Sequence, residues 1–175
     1  MRNAAITLVN SEHFRDGNVD DRLRDAKWVE QFLARSNIPQ PASRGQLVRL
    51  RELRALLRRI TEQLAAQQSI SDRTLDALNG FLEPVTVRDR IVRTETGGFT
   101  HNRDFTGHVT PTAVIARDFL RLLVEGDWRR LKICANDACR WAFYDESRNR
   151  IRIWCDSTRC GNVMKVRRFR ERNRT

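Results

Sequence analysis

All four cysteines of this sequence fall between positions 134 and 160, as Cys134, Cys139, Cys155 and Cys160. Their spacing is Cys-x4-Cys, 15 intervening residues, then Cys-x4-Cys. Each pair can turn tightly and aim two sulfurs at one point. The stretch between them can fold back and bring the pairs together. That is the arrangement of a closed tetrahedral Zn2+ site. Soft thiolates suit Zn2+, whereas carboxylate and carbonyl clusters suit Ca2+ or Mg2+. Three other uses of four thiols compete. Two disulfides need an oxidising compartment, to which nothing else in the sequence points. An iron–sulfur cluster takes four Cys, but its usual C-x2-C-rich spacings are absent. A catalytic zinc keeps a position for water and draws on His or a carboxylate. With no His nearby, the expected cofactor is one structural Zn2+ ion. A segment of about 40 residues buries too little surface to fold alone, and structural zinc supplies roughly 10–16 kcal/mol of apparent folding free energy. Trp141, Phe143, Tyr144 and Trp154 flank the ligands and are expected to form a miniature core around them.

The thiols lie in the basic part of the chain. Residues 131–175 hold 12 Lys and Arg against 5 Asp and Glu, a balance of +7 out of a net +11. The first 130 residues carry only +4. Clustered positive charge attracts polyanions, of which nucleic acid is the commonest. No apolar run approaches the roughly 18 residues that span a bilayer, and the N-terminal patch is too short and polar for a secretory signal. A cytoplasmic protein without a membrane partner is the expectation.

Upstream, the pattern is mainly helical. Residues 4–9 (AAITLV) read as a short buried strand or an extended lead-in. Residues 20–35 read as a helix that opens on Asp20 and Asp21 and is stopped before Pro39 and Pro41. The strongest helix follows Ser43, which has capping-box spacing to Gln46. Leu47, Leu50, Leu53, Leu57, Ile60 and Leu64 recur along it every three or four residues, and its arginines are read as a solvated face. A shorter helix follows Ser71, through Leu75, Leu78 and Leu82. Residues 85–110 alternate apolar and polar side chains around Gly97-Gly98, which predicts a β-hairpin. Thr110 and Pro111 then start a helix that ends at Gly126. After Cys160, Gly161 permits a tight turn. A last helix places Val163, Val166 and Phe169 against the metal module, with Lys165, Arg168 and Arg172 on an outer face. The expected fold class is mainly α with one β-hairpin (α+β). A helical N-terminal domain, 1–128, precedes a small treble-clef-like zinc-binding module, 129–175.

The run from Cys134 through Cys139, Arg140, Trp141, Phe143, Asp145, Ser147, Arg148, Asn149, Arg150, Arg152, Trp154 and Cys155 to Cys160-Gly161-Asn162 closely resembles the CGNR zinc finger. The resemblance covers about residues 131–172. It retains all four ligands but has Val163 where the family has its closing Arg. The part ahead of it is similar to the ABATE domain that usually precedes this finger, on Val9-Asn10 and the acidic pair Asp20-Asp21. Together they imply a bacterial, stress-related transcription regulator with a DNA-binding finger.

On that reading Arg148, Arg150 and Arg152, between the cysteine pairs, and Lys165, Arg167, Arg168, Arg170 and Arg172, on the last helix, are the candidate nucleic-acid contacts. Most would meet phosphates. Asp145 and Ser147 are expected to cap the loop, and Asn149 fits either role. DNA is the expected partner, at the nucleoid. A small-molecule effector at the N-terminal domain and a homodimer stay open, as do an RNA-binding finger and a protein-interaction module with a purely structural zinc. An enzyme is the least expected class. There is no Gly-rich phosphate loop or nucleophile elbow, His13, His101 and His108 are scattered, and Asp16, Asp20 and Asp21 are the nearest thing to a carboxylate cluster. No catalytic residue is assigned.

Overall fold

The leucine-spaced helix organises everything else. In the computed structural model, which describes residues 3–15, 18–38, 43–82, 85–107 and 109–173, this helix is α3 (Arg44–Ala65). Ser43 Oγ accepts from Gln46 N at its start. Leu50, Leu53, Leu57 and Ile60 are fully buried along it. α1 (Ala4–Val9) and α5 (Pro111–Val124) pack on α3 and on each other, and α4 (Asp72–Leu82) packs on α3 and α5. α2 (Ala26–Arg35) adds Val29, Phe32 and Leu33 to the same core. Among the described residues, three antiparallel two-stranded pairs stand before the last helix. β1 (Glu12–Arg15) pairs with β2 (Asn18–Asp21), and β3 (Val85–Arg93) with β4 (Phe99–Gly107). β5 (Leu131–Ile133) pairs with β6 (Ala142–Tyr144). α6 (Asn162–Arg172) ends the described chain.

The mainly helical fold class, the long helix, the helix after Ser71 and the 85–110 hairpin are as the sequence predicts. The hairpin closes through Thr94 N to Gly98 O at 2.9 Å, with Gly97 at φ +83°. Thr110 Oγ1 caps α5 by accepting from Ala113 N at 3.2 Å, with Pro111 at the first helical position. At Gly126 the requirement is space: a Cβ there would come within 2.6 Å of the Leu122 carbonyl oxygen.

Residues 4–9 form a helix, not the strand or extended lead-in that the sequence suggests. Asn3 Oδ1 caps α1 by accepting from Ile6 N at 3.0 Å, and Asp118 Oδ2 on α5 accepts from Ala4 N at 2.6 Å. Docking of Ala5, Leu8 and Val9 into the core overrides the weak helix preference of Ile6, Thr7 and Val9. The 20–35 helix is corrected at its start. Asp20 and Asp21 close β2, opposite His13 and Glu12. Asp21 then caps a short 3-10 turn, and Asp25 opens α2 by accepting from Lys27 N and Trp28 N. Pro39, Pro41, His108 and Asp16 lie outside the described residues.

The core does not stop where α5 ends. Leu131 on β5 and Ala142 on β6 are buried at 1% and 0% exposure among the helical-domain leucines. β5 packs along α3, and β6 touches α1. No helix among the described residues is long and apolar enough to cross a membrane.

Candidate metal centre and nucleic-acid interface

β5 delivers Cys134, and the chain then turns through Asn136–Cys139. Asn136 O accepts from Cys139 N at 2.8 Å and from Arg140 N at 3.1 Å, and Cys134 N donates to Trp141 O at 2.9 Å. Arg140 takes a left-handed φ of +49° to complete this first knuckle. The second knuckle is built by Asp156, whose Oδ1 accepts from Thr158 N at 2.8 Å and Arg159 N at 3.0 Å. A wide turn over Ser157–Gly161 carries Cys160 into α6. Gly161 is buried with an ordinary φ of −60°, and a Cβ there would meet the Trp154 ring at 3.3 Å. Close packing under the indole, rather than a special backbone angle, is what favours glycine here. Ala135 N donates to Ile153 O at 2.8 Å and ties the knuckles together.

The four sulfurs converge, all within 4.8 Å of one another. Cys139 Sγ is 3.7 Å from Cys155 Sγ, which is 3.8 Å from Cys160 Sγ. Tetrahedral Zn–S bonds of ~2.3 Å separate neighbouring sulfurs by ~3.8 Å, so the donor set fits one Zn2+. With four thiolates and no open position, that ion is structural. Burial pushes the Cys139 thiol up to about 11 and Cys155 higher still. For Cys160 burial acts the same way, but the hydrogen bonds from Asn136 and the other thiols outweigh it and lower the value. Metal binding must displace protons from at least the first two.

The stretch between the knuckles is held by charges turned inward. Asp145 is fully buried. It accepts from Lys132 Nζ at 2.8 Å, Ser147 N at 3.0 Å, Ser147 Oγ and Arg152 N at 3.0 Å. Burial works against the carboxylate, but Lys132, Ser147 and Arg152 together hold it well below the usual range. Asp145 and Ser147 cap the loop, as expected. Lys132 also reaches the carbonyls of Arg150 and Arg152, and Arg130 Nη1 reaches those of Asp145 and Ser147 at 2.8 Å.

The first knuckle is clamped onto the helices. Buried Asn10 donates through Nδ2 to Ala142 O and accepts at Oδ1 from Ala142 N, both at 2.8 Å. Arg58 on α3 donates to Val9 O at 2.8 Å and Arg140 O at 3.3 Å. Arg140 in turn pairs with Glu62 at 2.7 Å and lies 5.0 Å over the Phe14 ring. His13 meets Trp141 edge-on at 5.1 Å. The α3 arginines were expected in solvent, yet Arg54 and Arg58 are only 7% and 8% exposed. Arg54 binds both carboxylate oxygens of Asp21 and the Ser11 hydroxyl. Burial pulls Arg58 below the ordinary guanidinium value, against the opposing charges of Glu62 and Glu12. Sequence reasoning missed these residues although a signal existed. Positions 54 and 58 continue the i+4 row that begins at Leu50, so they lie on the buried stripe.

Residues 2–126 match the ABATE family model, described as "Putative stress-induced transcription regulator". The chain belongs to the ABATE family. Residues 130–173 match the CGNR zinc finger, which with the converging sulfurs makes the centre a zinc finger holding one structural ion. Among curated proteins none matches the chain. In this ABATE protein the eight candidate nucleic-acid residues fall into two groups. Arg150 pairs with Asp127 at 2.7 Å. Arg152 is half-buried, donates to Cys155 O at 2.6 Å and lies 5.2 Å over Phe143. Both are tied into the finger. Arg148, Lys165, Arg167, Arg168, Arg170 and Arg172 are exposed, with Arg167 also bonded to Glu171 at 3.0 Å. Val163, Val166 and Phe169 do not pack on the module as expected; they are 57%, 49% and 59% exposed. No residue of α6 is buried, so its apolar face lies open.

Proposed function

We propose that this chain is a non-catalytic, DNA-binding transcription regulator, acting at the bacterial nucleoid, in which zinc holds a basic helix in presentable form. The observation that carries this reading is α6. It has five basic residues and one acidic one across eleven positions, buries none of them, and hangs from the metal centre. A helix of this width enters the major groove of duplex DNA. Lys165, Arg168, Arg170 and Arg172 would meet phosphates or guanine edges. The exposed Val163 and Val166 are suited to thymine methyl groups. Arg148 would add a phosphate contact from the loop, while Arg150 and Arg152 shape that loop rather than bind. The family description of a transcription regulator supports the same reading.

The test is selection from a randomised duplex pool by the zinc-loaded chain at near-physiological salt. Enrichment of a defined motif is expected, and a palindromic motif would add a two-fold dimer. Binding without enrichment, or tighter binding to single-stranded RNA of random sequence, would overturn sequence-specific regulation.

A further inference from the structure

α1, α2 and α5 border an open cavity of about 1010 Å³. That is the size of a small-molecule site, whose usual range is ~300–1,000 Å³. Its apolar wall is aromatic. Trp28 and Phe32, one turn apart on α2, stack with centroids 5.1 Å apart and planes at 18°, and Val114 and Leu120 of α5 face the same space. A stacked pair with a half-exposed indole offers a flat surface for a planar body.

The charged groups are unequal in what they have left to bind. Arg35, Arg117 and Arg121 line the cavity, with Asp118 and Glu125. One oxygen of Asp118 is taken, since its Oδ2 accepts from Ala4 N at 2.6 Å. Arg121 is half-buried, yet among the described residues neither it nor Arg35 has a carboxylate within ion-pair distance. A guanidinium drawn partly out of water gains from a carboxylate in planar, two-pronged contact.

We propose that this cavity binds a small amphipathic anion, an aromatic or flat apolar body carrying a carboxylate. The body lies against Trp28 and Phe32, and the carboxylate meets Arg121 with Arg35 beside it. This site is independent of the DNA reading and stands or falls without it.

Calorimetry of the full zinc-loaded chain tests it with two probes of like shape, 1-naphthoate and the uncharged 1-naphthylmethanol. Naphthoate is expected to bind one site at least about tenfold more tightly than the alcohol. Arg121→Gln should abolish that preference and leave the affinity for the alcohol unchanged, whereas Trp28→Ala should weaken both. Arg35→Gln, at an exposed position, should reduce the preference and serves if the first variant does not fold. A variant neutralised on α6 should keep naphthoate binding. Equal affinity for the two probes, no binding of either at millimolar concentration, or a preference that survives Arg121→Gln and disappears when α6 is neutralised would overturn the proposal.

Discussion

α3 buries Leu50, Leu53, Leu57 and Ile60 completely, while α6, half its length, has no buried residue. The first is held by apolar surface removed from water, at ~25 cal/mol per Å2. The second has no such support, and an isolated helix of eleven residues is marginal in water. What fixes α6 is its junction with Cys160. The dividing line between these two regimes does not fall at the end of α5. It runs through the finger. β5 and β6, with the first knuckle, share the helical core through Leu131, Ala142 and the Asn10 clamp. The second knuckle and α6 share no such core, so they are expected to depend most on the metal. On this geometry zinc does not create a free-standing domain. It pins a basic arm to a surface that the core already holds.

Stripping the zinc should separate the two regimes most visibly. Structural zinc is worth on the order of 10 kcal/mol, so chelation, or Cys155→Ser, should release hydrogen-exchange protection in residues 146–172. Protection in α1, α3 and α5 should persist. Loss of protection everywhere would mean that the metal holds the whole molecule.

Asp145→Ala comes next. It leaves Lys132 without its buried partner and should cost about 3–5 kcal/mol, read as weaker zinc retention and a lower denaturant midpoint. The pH dependence sharpens this. The folded carboxylate titrates below its unfolded value of 3.8, so its contribution is complete above about pH 4 and is lost only as pH falls further. Cys139, pushed up to about 11, acts in the other range, so zinc affinity should rise with pH from 5 to 8 as thiol protons are displaced. An Asp145-dependent step in zinc release within that range would contradict the assignment.

Asn10→Ala orphans both backbone groups of buried Ala142 and should cost about 1–3 kcal/mol for each unpaired group. Because Asn10 joins the two core-held parts, this loss should appear in the main unfolding transition and leave zinc stoichiometry at one. Smallest for stability is the combined change of Lys165, Arg168, Arg170 and Arg172 to Gln, expected within about 0.5 kcal/mol of the parent. The same variant should lose most of its DNA affinity, which separates a presented surface from a structural one.

Much of this was legible in the sequence. The cysteine spacing gave the metal centre, and the leucine spacing gave α3, because both are local patterns with strict geometry. Asp145 and Ser147 were legible as a loop cap for the same reason. What was hidden depends on partners far along the chain. α1 is a helix because Asn3 caps it and because Asp118, over a hundred positions away, binds its first free N–H. Asp20 and Asp21 resemble a helix start locally, yet Asp21 is taken by Arg54. The apolar spacing of Val163, Val166 and Phe169 is real, but spacing alone does not say whether a surface lies opposite. Arg150 and Arg152 look like Arg148 in sequence. Asp127, Cys155 O and Phe143, the partners that set Arg150 and Arg152 apart from Arg148, cannot be read from local sequence.

The most direct test of the account is the salt dependence of binding to a short random-sequence duplex, for the zinc-loaded and the chelated chain. With about six phosphates neutralised, log K against log salt should fall with a slope near −5 for the zinc-loaded chain, and chelation should remove most of that affinity and flatten the slope. Equal affinity and slope in the two forms, or a slope near zero with zinc bound, would contradict the claim that the metal exists to present a DNA-binding surface.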